Sequence, residues 1–112
     1  MAGTFEIFTD KKGEYRFRLK SSNGQTVLSS EGYSSKSGAT NGIKSVQNNC
    51  GDDARYTRTT TKSGGFGFSL TAKNKQVIGT SQTYKSASGR DNGIAAVARA
   101  ANGAKIVDLT SK

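Results

Sequence analysis

Apolar and polar residues alternate along several short stretches of the chain, a pattern typical of half-buried β-strands. The stretch YRFRLK at 15–20 alternates aromatic or aliphatic residues with basic ones, and FGFSL at 66–70 repeats the alternation. TVLSS and VIGTS follow these stretches as return strands, and FEIF and RYTRTTT precede them. The pattern therefore predicts two units that each begin with three strands.

The predicted hairpins differ in their turns. Asn23-Gly24 tolerates positive φ at both positions and predicts a two-residue type I′ turn. Asn74-Lys75 stands at the corresponding place and predicts a weaker form of the same turn.

A segment with helical periodicity follows each hairpin. Ser35 and Ser86 precede these segments as N-caps, whose hydroxyls accept hydrogen bonds from amides of the first turn. The apolar positions of the first segment share one helix face and are Ala39, Ile43, Val46 and Cys50. Ile94, Val97 and Ala101 repeat that face in the second segment. Cys50 is therefore expected to be a small buried hydrophobe.

The two segments belong to an internal repeat of the whole unit. SGATNGIKSV at 37–46 returns as SGRDNGIAAV at 88–97, and the alignment needs no gap from residue 5 to residue 46. The repeated positions in the middle of the helices are Asn41, Gly42, Ile43, Asn92, Gly93 and Ile94. Glycine inside a helix costs about 1 kcal/mol relative to alanine. The two glycines therefore predict close approach of helix to sheet or of helix to helix, with the asparagines bonded to nearby backbone.

The same alignment sets the boundaries of the units. The last predicted strand, KIVDL, aligns with RYTRT, so RYTRTTT is predicted to close the first unit as well as to open the second. We expect one domain over 1–112, with repeat 1 at about 4–55 and repeat 2 at about 56–110.

The stretch YRFRLKSSNGQTVLSSEGYSSKSGATNGIKSV resembles the YegP-like family, small bacterial proteins with a domain of unknown function. The resemblance covers nearly the whole chain, twice, and departs from the family pattern at Lys75 and Arg90. It implies an α+β fold of two tandem β-β-β-α-β repeats. These would form one mainly antiparallel sheet with both helices on one face and with the C-terminal strands exchanged between repeats. Some relatives have one unit and pair as dimers, so a monomer acting as a covalent pseudo-dimer is implied. No activity and no catalytic residue are implied.

Composition narrows the functions that the chain can perform. The sequence has no histidine and a single cysteine, so a Ser-His-Asp triad cannot be built, and neither a metal site nor a cofactor is expected. It shows no signal peptide and no apolar run that could span a bilayer, which predicts a cytoplasmic protein without a membrane partner.

The formal net charge of +9 indicates a polyanion, a nucleic acid or an acidic protein as possible partners. On the second strand, Arg16, Arg18 and Lys20 alternate with apolar residues and are predicted to form a basic row on the uncovered face of the sheet. These observations leave three hypotheses for the function of the chain. The first is a binding or interaction module without catalytic activity, the second is weak, sequence-blind nucleic-acid binding through this row, and the third is an enzyme that uses Tyr33 and Lys36.

Overall fold

The computed structural model describes residues 3–73 and 75–110. Each unit contributes three strands and a helix, and a seventh strand follows the second helix. The elements are β1 (Thr4–Thr9), β2 (Tyr15–Lys20), β3 (Thr26–Ser30), α1 (Lys36–Asn49), a 3₁₀ turn (Asp53–Arg55), β4 (Tyr56–Thr60), β5 (Phe66–Thr71), β6 (Val77–Thr80), α2 (Ala87–Ala101) and β7 (Lys105–Asp108). None of the helices in the described ranges is long and apolar enough to cross a membrane.

In the part of the chain that the structure describes, seven strands form one sheet in the order β4-β5-β6-β3-β2-β1-β7. The units meet at the antiparallel pair β3–β6, and only β7 runs parallel to its neighbour, β1. The strand after α2 crosses to the first unit, since β7 joins β1, whereas the strand after α1 joins its own hairpin, with β4 pairing with β5 as the first strand of the second unit. The predicted α+β fold with one mainly antiparallel sheet is therefore confirmed, and the predicted strand exchange is seen in β7.

Both helices pack on the same face of the sheet and also contact each other. Their hydroxyl caps are present as predicted, with Ser35 Oγ accepting from the amide of Gly38 at 3.1 Å and Ser86 Oγ from that of Gly89 at 3.0 Å. The largest fully buried side chains come from both units and are Phe5, Phe17, Phe68, Leu19, Leu28, Ile43, Leu70, Val46 and Val97. Cys50 is buried, as expected from its place on the apolar face.

The type I′ prediction for the first hairpin turn is wrong. Of the two residues Asn23 and Gly24, only Gly24 has positive φ, at 85°, and the turn is closed by hydrogen bonds from the Gly24 amide to the Ser21 carbonyl and from the Ser21 amide to the Gln25 carbonyl. This is a longer loop with one left-handed residue, which does not require positive φ at Asn23. In the second unit Lys75 takes the left-handed position, with φ of 70°, while Asn74 lies outside the described residues.

The edges of the sheet break the internal symmetry. β1 is paired on both sides, whereas in the described residues β4 is paired only with β5. Arg58 stands on β4 where the repeat places the buried Ile7 of β1. Its guanidinium binds Asp53 at 3.0 Å and Asp91 of α2 at 3.2 Å. A charge at this position of an edge strand discourages further strand pairing.

Candidate functional site

Two tyrosines in equivalent places are held rigidly between sheet and helix. Tyr33 forms a two-hydrogen-bond bridge with Tyr15, with N···O distances of 2.8 and 2.7 Å, and its ring stacks on Phe17. Tyr84 forms the same bridge with Phe66 and stacks on Phe68. The two rings therefore occupy equivalent positions before the start of each helix.

Each tyrosine lies against the glycine in the middle of its helix. A Cβ at position 42 would be 2.6 Å from Tyr33 Oη and 2.8 Å from Phe17 Cε2. At Gly93 the nearest atoms would be the Oη and Cζ of Tyr84. The predicted close approach is confirmed, and its partner is the tyrosine that leads into the helix.

A groove with a volume of about 500 Å³ opens beside Tyr33 and is called the α1 groove. One wall comes from the first unit and the other from the β5–β6 hairpin of the second unit. The lining residues are Glu31, Gly32, Tyr33, Gly38, Asn41, Gly42, Ser45, Ala72, Gln76, Val77 and Ile78. Its volume is within the usual range of small-molecule sites.

A second groove of about 370 Å³, the α2 groove, lies beside Tyr84. One of its walls comes from α2 and the segment before it in the second unit, and the other comes from the β2–β3 hairpin of the first unit. The lining residues are Ser21, Ser22, Asn23, Gln25, Val27, Gln82, Tyr84, Gly89, Asn92, Gly93, Ala96, Arg99 and Ala100. Most of these positions are 51 residues from a residue that lines the α1 groove. The duplication has thus produced two related grooves, each of which requires both units.

The repeated asparagines face these grooves rather than the protein interior. Asn41 and Asn92 are exposed, and neither side-chain amide makes a hydrogen bond within the described residues. The expectation that they bond nearby backbone is therefore not met, because their positions at the groove walls leave the amides open to solvent. An amide that recurs in both units without an internal partner is available to bind a ligand.

The electrostatic surroundings of the two tyrosines differ. Burial raises the pKa of the Tyr33 hydroxyl, and the nearby Glu31 carboxylate raises it further. In the α2 groove the position of Glu31 is taken by the neutral Gln82. The Tyr33 hydroxyl is therefore protonated at neutral pH and can donate a hydrogen bond.

The basic row of β2 lies together beside β1, and every member has an acidic partner. Arg16 Nε is 2.7 Å from the Asp10 carboxylate, Arg18 Nε is 2.6 Å from Glu6, and Lys20 Nζ is 3.4 Å from Glu6. These ion pairs lower the pKa values of both Glu6 and Asp10. Arg18 also lies 4.5 Å from the centre of the Phe8 ring. The row is formed, but its charge is largely neutralised.

Tyr33 and Lys36 take part in different interactions. Lys36 Nζ binds the Asp108 carboxylate at 2.7 Å and so connects the start of α1 to β7.

Within the residues that the structure describes, no cluster of histidine, cysteine, aspartate or glutamate could hold a metal ion.

The comparisons with known proteins agree with the fold. The family model for the "Domain of unknown function (DUF1508)" matches residues 10–56 and again 61–108. The chain belongs to this family, and the predicted relationship to YegP-like proteins is confirmed. A "UPF0339 protein in ptx operon 5'region" of Stutzerimonas stutzeri is 54% identical and aligns over 97% of this chain and 98% of its own. YegP of Escherichia coli K12 is 46% identical over 87% of this chain and 88% of its own.

Two solution NMR structures resemble the chain closely. YegP from E. coli, described as a protein of unknown function, has a TM-score of 0.93 and 42% identity, covering 100% of this chain and 97% of that one. A UPF0339 protein from Shewanella oneidensis has a TM-score of 0.91 and 44% identity, covering 97% and 92%. These relatives establish family and fold without stating an activity.

Proposed function

We propose that the chain is a non-catalytic binding module whose ligand sites are the α1 and α2 grooves. The observation that carries this proposal is the recurrence of one polar constellation in both grooves. Each has a tyrosine hydroxyl seated on a helix glycine, an asparagine amide without an internal partner, and a glutamine from the hairpin of the other unit.

The chemistry of the grooves suits a small polar molecule. Phenol and amide groups donate and accept hydrogen bonds, and Val27 and Ile78 supply an apolar floor at equivalent places. The chain has no histidine, so neither groove contains the commonest general base. Binding without chemical conversion is the function that these groups support.

The test uses side chains that fill the grooves. Ser45→Tyr and Ala96→Tyr together place a large ring in both, whereas Lys44→Tyr and Ala95→Tyr place the same rings on the neighbouring exposed positions. Each protein is dialysed against a deproteinised bacterial metabolite extract, and the retained compounds are measured by mass spectrometry. Wild type and the control pair should retain the same compounds, and the filled pair should lose them. Equal retention by the filled pair, or no enrichment by wild type, would contradict the proposal.

We propose weak polyanion binding by Arg16, Arg18 and Lys20 as a second candidate function. It is favoured by the location of the three cations side by side, with the aromatic Phe8 next to Arg18. The ion pairs with Glu6 and Asp10 make it the weaker proposal, because a phosphate must compete with carboxylates already in contact.

A further inference from the structure

The two grooves are lined by equivalent segments of the two units, but their charged side chains have opposite signs. Glu31 in the α1 groove corresponds to Gln82 in the α2 groove, and Asn48 on α1 corresponds to Arg99 on α2. Both differences make the α2 groove more positive than its counterpart. No acidic side chain lines the α2 groove among the described residues.

Arg99 differs from the other arginines in its ion pairing with the described residues. The other five are ion-paired within 4.0 Å: Arg16, Arg18, Arg55, Arg58 and Arg90. Arg99 has no such partner among the residues that the structure describes. It is exposed in the last turn of α2 and lines the groove. A position near the helix C-terminus is favourable for a cation but does not neutralise it.

The remaining polar groups of the α2 groove complement an unpaired guanidinium. Tyr84 presents a hydroxyl, and Asn92 and Gln25 present amides from opposite walls. Guanidinium binds carboxylate and phosphate groups through two parallel hydrogen bonds, and hydroxyl and amide donors can satisfy their remaining oxygens.

We propose that the α2 groove is a site for a small organic anion, with Arg99 binding its carboxylate or phosphate group and Asn92 and Tyr84 binding its polar body. This inference rests on the proposed binding function and gives the two grooves different ligand classes. The α1 groove, with Glu31 beside Tyr33, takes neutral or cationic molecules instead.

The experiment is an amide chemical-shift titration of the ¹⁵N-labelled chain with acetate, inorganic phosphate and acetamide at constant ionic strength. Acetate and phosphate are carboxylate and phosphate probes, and acetamide is the neutral counterpart of acetate. Both anions, or one of them, should shift the amides of Gly89, Asn92 and Gly93 in a saturable way. The corresponding amides of Gly38, Asn41 and Gly42 should respond at least tenfold more weakly.

Two variants that remove one positive charge separate the site from net charge. Arg99→Asn gives the α2 groove the residue found at the equivalent place in α1, and the anion-dependent shifts should fall at least tenfold. Lys44→Gln, at an exposed position of α1, should leave them unchanged. Retention of the shifts in Arg99→Asn, or equal loss in Lys44→Gln, would overturn the proposal.

Acetamide, the neutral probe, separates the proposed anion site from the general binding function of the grooves. If acetamide shifts the amides of both grooves while the anions show no preference for the α2 groove, the binding function stands and the anion site is rejected. If none of the probes produces localised, saturable shifts in either groove, both are rejected.

Discussion

The hydroxyl oxygen of Tyr33 occupies the space beside Gly42 that a side chain would need, only 2.6 Å from where a Cβ at position 42 would stand. The tyrosine is held from behind by its bridge to Tyr15 and by the Phe17 ring. A side chain at this point of the helix would therefore have to displace the Tyr33 hydroxyl and the Phe17 ring.

Gly42→Leu should lower the free energy of unfolding by about 1–3 kcal/mol or more through overpacking, although leucine is the better helix former. Urea midpoints measure the change. Gly51→Leu is the control, because an added Cβ there meets nothing within 4 Å, and it should change the midpoint little. A Gly42→Leu variant as stable as wild type would show that the close approach does not constrain the fold.

A double-mutant cycle tests whether Tyr33 is the residue that makes a side chain at position 42 destabilising. Tyr33→Ser should be destabilising alone but should make Gly42→Leu less costly, with a coupling energy of about 0.5–3 kcal/mol. Strictly additive urea results for the two substitutions would assign the cost to Phe17 or to the helix itself.

The Lys36–Asp108 contact predicts a pH dependence for the docking of β7. The Lys36 ammonium holds the pKa of the Asp108 carboxyl below its ordinary value of 3.8, and Thr110 lowers it further. Stability from a carboxylate with a lowered pKa is present above the ordinary pKa and is lost as the pH falls through the folded-state value.

Asp108→Asn should therefore be less stable than wild type at pH 7, and the difference in urea midpoint should shrink progressively below about pH 4. Lys36→Met should remove most of this pH-dependent difference. A difference that is constant between pH 7 and pH 2.5 would mean that the ion pair does not contribute.

The unequal edges of the sheet predict unequal hydrogen exchange. β1 is hydrogen-bonded on both sides, whereas β4 is bonded only to β5 in the described residues. Amides of β4 that point away from β5 should exchange much faster than any amide of β1, as NMR exchange in D₂O would show. Slow exchange along all of β4 would indicate that another segment or a second copy covers this edge.

The ion pairs of the basic row predict weak association with nucleic acid and a shallow dependence of that association on salt. Three free phosphate contacts would give a slope of log affinity against log salt of about −2 for a single strand. Because Glu6 binds both Arg18 and Lys20, wild type should fall short of this slope and Glu6→Gln should approach it. Fluorescence titrations with an oligonucleotide at several salt concentrations measure the slopes of wild type and Glu6→Gln.

The triple variant Arg16→Ser, Arg18→Ser, Lys20→Ser is the control, and it should remove most of the salt-dependent binding. Equal binding by wild type, Glu6→Gln and the triple variant would reject nucleic-acid association through the row.

Much of the fold was predictable because its determinants are local. Alternation along 15–20 and 66–70 identifies the strands, and Ser35 and Ser86 mark the helix starts through short-range hydrogen bonds. The repeat also indicated that Gly42 and Gly93 have a packing role. The turn type was missed because Asn-Gly is compatible with more than one loop length.

The grooves were not predictable from local pattern. Each depends on the hairpin of one unit meeting the helix of the other, which is settled only by the β3–β6 junction. The neutralisation of the basic row likewise depends on the register that places Glu6 opposite Arg18. The sequence feature that could have indicated the grooves is the recurrence of Asn41 and Asn92, each following a tyrosine at the same distance. From the sequence alone, this recurrence is better explained by packing than by a binding site.

Mapping the amide shifts of the ¹⁵N-labelled chain during titration with the metabolite extract tests whether the two inter-unit grooves bind ligands. The shifted amides should cluster on 38–42 and 89–93 and on the two facing hairpins, and Ser45→Tyr with Ala96→Tyr should abolish the shifts. Shifts confined to β2 and β1, or an unchanged map in the filled variant, would show that the grooves are not the ligand sites.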